Sequence, residues 1–245
     1  GLSTPQVNAH YFNRLAATTV YDERSLQRLR EAGIHNAHLI RPGIDTTRFT
    51  CTPLALGQEL RVLGASAPWT RAQFQSKGID ALLAVAQRDP HLHLTFLWRG
   101  VLTDEMRERI RRLGLESQVD LIDALVDVNQ VLATVHATVA LANDARIIKA
   151  YPHSLMESLA AGKPVVVSRS IPMSEYVAQT ECGMVVNELT PEDVSGALAA
   201  LVAQYRSLAA SAEAVGQRDF ALQASLSAYA RLYQAILQAW KGYDL

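Results

Sequence analysis

The residue types best suited to chemistry lie between Lys149 and Val167. Tyr151-Pro152-His153-Ser154-Leu155-Met156-Glu157 is followed by Ala160-Ala161-Gly162-Lys163-Pro164 and then by three valines. The pattern reads as a loop, a short helix over about 153–161, a glycine stop and a buried strand. A helix start presents unbonded N–H groups and the positive end of the dipole, which suits a phosphate. Glu157, one turn into that helix, can reach a neutral polyol such as a ribose. The same Ser154-x-x-Glu157 spacing is also a capping box, in which Glu157 bonds only its own helix start.

Other chemistries are pruned by what is missing. No Gly-x-Gly occurs among the 13 glycines, so the dinucleotide-binding turn is absent. Gly162-Lys163 suggests a phosphate loop, but Glu157 stands where that motif needs glycine and Pro164 where it needs Ser or Thr. No HExxH, GxSxG or Asp-x-Asp pattern is present. Any bound diphosphate must then be met by protein cations and backbone amides, without a metal. Cys51 and Cys182 stand far apart with no Cys/His cluster, which argues against structural zinc and disulfides and for a reduced, cytoplasmic protein.

The elements that must position these residues are strands and capped helices in alternation. With 49% hydrophobic and 19% charged residues, 245 residues can bury a sizeable core. A formal net charge of −1 does not point to a nucleic-acid partner. Apolar runs predict strands at 16–21, 37–40, 61–67, 92–98, 119–122, 138–142, 165–168 and 184–186. Several are continuous, as expected of strands buried on both faces. Asp22, Thr103, Ser154 and Thr190-Pro191 mark helix starts, and Gly33, Gly114 and Gly162 mark stops. Arg107, Arg109, Arg111 and Arg112 read as a solvated helix face opposite Met106, Ile110 and Leu113.

Alternation from about 58 to 188 predicts an α/β fold, a doubly wound Rossmann-like parallel sheet with helices on both faces. Beyond 190 the chain reads as helical. One apolar stripe runs through Val194, Leu198, Leu201 and Tyr205, and another through Leu226, Tyr229, Tyr233, Ile236 and Trp240. Residues 128–143, the longest uncharged stretch, are too few to span a membrane. No basic and then apolar leader pattern opens the chain.

At this point a family resemblance becomes specific. The 149–167 segment resembles the donor-site signature of the retaining glycosyltransferases of family 4, whose GT-B fold faces two Rossmann-like domains. It is similar in the second glutamate of their pattern (Glu157), in the Pro-x-Ser-Leu helix start and in Ala160 to Val165. Pro42-Gly43-Ile44-Asp45-Thr46-Thr47-Arg48-Phe49 is similar to the family's interdomain Asn-Gly-Val-Asp-x-x-Arg-Phe. Lys77-Gly78 resembles the Lys-Gly after the first donor-domain strand, and Gly183-Met184-Val185-Val186 resembles a late strand. The matches keep the family order and cover about 15 to 240.

The resemblance implies the donor-binding half of an enzyme that moves a sugar from a UDP- or GDP-type nucleotide-diphosphosugar to an acceptor, which is a glycan, lipid or small molecule. Lys77 then contacts the diphosphate, with Arg71 as second cation. The backbone at Ser154 and Leu155 holds the phosphate and Glu157 the ribose. The base stacks near Leu121, Ile122 and Asp123. No cofactor or metal is implied, and no catalytic residue is assigned on this chain. Two departures stand out. Five residues rather than four separate Arg71 from Lys77, and Lys149 replaces the first glutamate, the one that addresses the transferred sugar. A cation there cannot accept bonds from hydroxyls, but it can pair with a carboxylate, a phosphate or Glu157.

On this reading, 1–48 are the remnant of an N-terminal acceptor-side domain with its linker. Residues 49–225 are the donor domain, and 226–245 a crossover helix. The implied partners are the donor, the acceptor, the missing N-terminal domain, a peripheral membrane surface and, through the last helix, a second copy. Nucleic acid is not among them. Lys149 also motivates a different class, a non-catalytic nucleotide-sugar sensor or scaffold. A sugar 2-epimerase of the same fold is disfavoured by the Ala-Ala-Gly-Lys-Pro segment. Lys77 and Arg71 also suit ordinary surface cations, His153 a plain loop residue, and His93 and His136 core or edge positions. Trp69 covers either the site or only its own loop.

Overall fold

The computed structural model describes residues 7–52, 54–98 and 100–241. The first six residues of the expected N-terminal remnant, and 242–245 at the end of the expected crossover helix, lie outside them. Six strands, β3 (Leu60–Gly64), β4 (Leu92–Leu97), β5 (Val119–Ile122), β6 (Ala137–Ala140), β7 (Val165–Ser168) and β8 (Gly183–Val186), form one sheet in the order β5-β4-β3-β6-β7-β8. Every neighbouring pair is parallel. A parallel sheet must be covered on both faces, and the alternation of side chains along β7 shows how. Val166 packs into one apolar cluster with Val62, Leu94 and Leu83. Val165 and Val167 pack into another with Leu155, Leu159 and Tyr176. The expected doubly wound α/β fold is the observed one.

The helices between these strands are α3 (Ala72–Ser76), α4 (Ile79–Arg88), α5 (Thr103–Leu113), α6 (Val128–Ala133), α7 (His153–Ala160) and α8 (Met173–Thr180); α9 (Pro191–Ala203), α10 (Tyr205–Asp219) and α11 (Leu222–Lys241) follow β8. Thr190 caps α9 by accepting from the Asp193 amide at 3.2 Å, with Pro191 in the first turn. At α5, by contrast, Leu102 precedes the helix in a left-handed conformation, and Thr103 donates to the Gly100 carbonyl at 2.9 Å instead of capping. Gly216 lets α10 ride directly on α7, since a Cβ there would lie 2.1 Å from the Leu159 carbonyl oxygen.

The N-terminal part is a small unit of its own: α1 (Ala9–Phe12), β1 (Thr18–Val20), α2 (Glu23–Glu31) and β2 (Ala37–Leu39), the two strands pairing in parallel. Asp22 caps α2, accepting from the Ser25 amide at 2.8 Å. Leu29, Ile34 and Ala37 form a separate apolar cluster. Arg24 ties this unit to the larger one through Glu175 at 2.5 Å and the Arg169 carbonyl at 2.8 Å.

The connecting strap is held at three places. The Thr50 amide donates to Asn129 Oδ1 at 3.0 Å, and buried Lys163 donates to the Thr52 carbonyl at 2.5 Å. His136 accepts the Arg61 amide on Nδ1 at 3.0 Å, so its proton sits on Nε2 and is donated to the Ala55 carbonyl at 3.2 Å. His136 is thus a core histidine, and His93 a half-buried one facing Glu59 at 3.5 Å.

Among the described residues no helix is long and apolar enough to cross a membrane. The second apolar stripe is largely uncovered, with Leu226, Tyr233, Leu237 and Trp240 of α11 exposed. The first is core: Val194, Leu198, Leu201 and Tyr205 are buried.

Candidate functional site

In a sheet of this order the connections leave β3 and β6 in opposite directions, and a crevice opens beyond their carboxyl ends. A cavity of about 950 Å³ lies there, near the upper end of the roughly 300–1,000 Å³ common for small-molecule sites. Its walls come from the loops after β3, β4, β5 and β6, the first turn of α7, and Arg48 and Phe49 of the strap.

Lys77 enters from the β3 side. It ends α3, and Gly78 turns the chain into α4 at φ +66, where a Cβ would also lie 2.6 Å from the Leu141 side chain. Only glycine meets both demands. The Lys77 side chain is 7% exposed, and its ammonium donates to Ser66 Oγ at 3.3 Å and the Ala67 carbonyl at 2.9 Å. Burial pushes its pKa down. The Asn143 amide donates to the Ser76 carbonyl at 2.9 Å, fastening the turn that carries Lys77 to the exit of β6.

Across the crevice, α7 begins at His153 with Pro152 as N-cap and no side-chain cap. Ser154 therefore lies inside the helix and is not its cap, because a capping side chain must precede the first helical residue. The Pro152 carbonyl takes the amides of Leu155 at 3.1 Å and Met156 at 3.2 Å. The first-turn amides left to a ligand are those of His153 and Ser154. Partial desolvation and the charge of Lys149 both push the His153 pKa down.

Lys77, Lys149, Ser154 and Glu157 all line this one cavity. The other expected residues do not. Arg71 is 78% exposed in its side chain and faces Glu105 at 3.4 Å, because the five residues after it coil into α3 and turn it outward. The Leu155 side chain is buried in the core and its amide is taken by Pro152. Leu121 and Ile122 end β5, with Asp123 next, and the wall starts one residue later, running from Ala124 to Asn129. Sequence reasoning missed that wall, and Arg48 and Phe49 as lining residues. The signal was available in Asp127, which caps α6 by accepting from the Asn129 amide at 3.0 Å. Trp69 lines the mouth at 72% exposure, with Val101 at 46% and Leu125 at 86%. Arg146 also lines the cavity but is neutralised by Asp144, whose carboxyl it pushes down to about 2 through hydrogen bonds and charge. Among the described residues no group of three or more His, Cys, Asp or Glu is gathered to hold a metal ion.

Strand order, flanking helices and a crevice at the switch point define a Rossmann-like domain of the type found as the C-terminal half of GT-B glycosyltransferases. The family of glycosyl transferases group 1 matches residues 71–218, more than half of the chain, and the chain belongs to that family. Among solved structures it is similar to sucrose-phosphate synthase from Thermosynechococcus elongatus, at 16% identity and a TM-score of 0.74 over 94% of this chain and 61% of that one. It is also similar to Anabaena HepE in complex with UDP, at 17% identity and a TM-score of 0.76 over 93% and 66%. A glycosyltransferase from Rickettsia africae aligns at 14% identity and a TM-score of 0.77 over 96% and 69%. The chain thus spans about two thirds of the length of these structures. No curated protein matches the sequence.

Proposed function

We propose that this chain is the donor-binding half of a retaining, metal-independent glycosyltransferase of family 4 that moves a sugar from a nucleotide-diphosphosugar to an acceptor. The single observation that carries the reading is that the buried Lys77 ammonium and the open start of α7 face the same cavity at the β3/β6 switch point. A diphosphate seated between them accepts from Lys77 and from the His153 and Ser154 amides, with Glu157 within reach of the ribose. Transfer breaks the bond between sugar C1 and the diphosphate oxygen and forms one from C1 to an acceptor hydroxyl oxygen, whose proton passes to the leaving diphosphate. The charge that then grows on the leaving group is met by fixed donors in a partly desolvated crevice. Similar folds carry such ligands, HepE having been seen with UDP and with UDP-glucose.

In this reading a preceding domain supplies the acceptor side and covers the exposed stripe of α11. The 245 residues alone then bind donor and transfer poorly, and the uncovered stripe favours self-association. The test is calorimetry of the chain with UDP, GDP and ADP in the presence of EDTA. One of them should bind without metal. Failure of all three to bind, with or without Mg²⁺, would remove the reading.

A second reading, a non-catalytic nucleotide-sugar sensor or scaffold, is favoured by one observation: Lys149 faces the cavity where the family pattern has glutamate. Tight donor binding by the full-length protein with neither transfer nor hydrolysis separates it from the first.

A further inference from the structure

The cavity has two unlike arms that meet at Lys77. The loops after β4 and β5 lie on one side of β3 and bring Leu97, Val101, Leu125 and Val126, joined by Trp69 from the β3 loop. Apart from Asp127 and Asn129 at its far end, the described lining of this arm is apolar and suits a flat heterocyclic base. The loop after β6 and the start of α7 lie on the other side and bring Arg146, Lys149, His153, Ser154 and Glu157. This arm is polar and carries charges of both signs. A diphosphate at the meeting point, with its base in the apolar arm, directs the sugar into the polar one.

Of the two basic side chains in that second arm, one is answered by a carboxylate among the described residues. Arg146 is answered by Asp144. Lys149 is exposed, lines the wall, and has no hydrogen-bond or ion-pair partner among the described residues. The nearby start of α7 adds further positive potential. Arg48, which like Lys77 also lines the cavity, belongs to the strap segment rather than the β6 loop, and its neighbour Phe49 packs against the cluster of Leu63, Leu132, Val135 and Ala161. An ammonium only donates, so it discriminates weakly among neutral hydroxyls but strongly between a neutral and an anionic group.

We propose that the sugar on the donor carries a carboxylate, so that the donor class is a nucleotide-diphospho-uronic acid, and that Lys149 is the counter-ion that selects it. This rests on the donor-binding reading above and names its substrate class. The test is calorimetry of the 245-residue chain with UDP, UDP-glucose and UDP-glucuronic acid, or with GDP, GDP-mannose and GDP-mannuronic acid if guanine is the preferred base. Wild type should bind the uronate about tenfold more tightly than the hexose, the size of one charge-assisted contact. Lys149→Gln should bring that ratio to about one, and Lys149→Glu should invert it. Lys149 is exposed, so neither change threatens folding. Equal affinities of wild type for uronate and hexose would overturn the proposal. So would a Lys149→Gln loss of the same factor for UDP and for UDP-glucuronic acid, which would make Lys149 a diphosphate ligand. Absence of binding by every nucleotide would bring down the donor-binding reading itself, and this proposal with it.

Discussion

Replacing Lys77 with alanine separates the donor-binding reading from a merely structural lysine, because the two effects of the change differ in sign. In the unliganded chain the buried ammonium has two neutral oxygens as its partners among the described residues, Ser66 Oγ and the Ala67 carbonyl. Burial therefore works against its charge, and the folded-state pKa lies below the ordinary 10.5. Removing the ammonium relieves that cost while losing some packing of its stem, so thermal stability should change little. Affinity for the preferred nucleoside diphosphate should fall, since a charge-assisted bond to an anion contributes about 1.5–3 kcal/mol, or roughly 10- to 150-fold in Kd. Calorimetry reads this directly, and a second signature accompanies it. A bound diphosphate restores the charged form of Lys77, so binding at alkaline pH, between the lowered value and 10.5, should take up a proton. The heat of binding will then depend on the buffer, and Lys77→Ala should abolish that dependence. The sign follows from the direction of the shift: the free chain loses the Lys77 proton earlier than an ordinary lysine does, and the complex regains it. Affinity unchanged within twofold in a folded Lys77→Ala chain would refute the reasoning.

Three further outcomes are expected. Burial pushes the His136 pKa down, so the unfolded chain takes up the proton first, and stability that is fully present above about pH 6.5 should be lost as the pH falls toward the lowered value. Denaturant melts across this range should show the slope, and His136→Phe should flatten it while costing about 2 kcal/mol or more at pH 8 through the stranded Arg61 amide and Ala55 carbonyl. Trp69 is exposed at the cavity mouth whereas Trp98 is buried, so donor binding should quench tryptophan emission, and Trp69→Phe should remove most of the quench. Gly216→Ala should lower stability by about 1–3 kcal/mol, because its Cβ must push α10 away from α7; an unchanged melting temperature would contradict that packing.

How far the sequence was legible depends on which force set each feature. Buried strands announce themselves by apolar runs, and all eight expected strands are present. The β3 run was read too long, because residues 65–67 look apolar but leave the sheet to line the cavity, with Ala67 and Ser66 turned to Lys77. α6 escaped notice because six uncharged residues carry no amphipathic stripe, only the Asp127 cap. Lys77, Ser154 and Glu157 were legible as lining one cavity because Lys77 sits beside Gly78, and the other two lie on a short helix bounded by Pro152 and Gly162. Arg71 was not, since one local helical turn, α3, reverses the side of the loop from which it projects. The cavity wall begins at Ala124, just beyond the expected 121–123, for a similar reason: a strand end is visible in sequence, but the first residue that bends over the crevice is not.

The strap between the two units carries a consequence for chain length. Asn129, Lys163 and His136 grip it at Thr50, Thr52 and Ala55, each from a different part of the larger unit. The first two anchors stand two positions apart and leave no slack between them. Adding one residue between Thr50 and Thr52 must displace one of them from its grip, whereas changing the Cys51 side chain leaves the main-chain amide and oxygen in place. These positions therefore tolerate a change of side chain better than a change of length, the reverse of an ordinary surface loop.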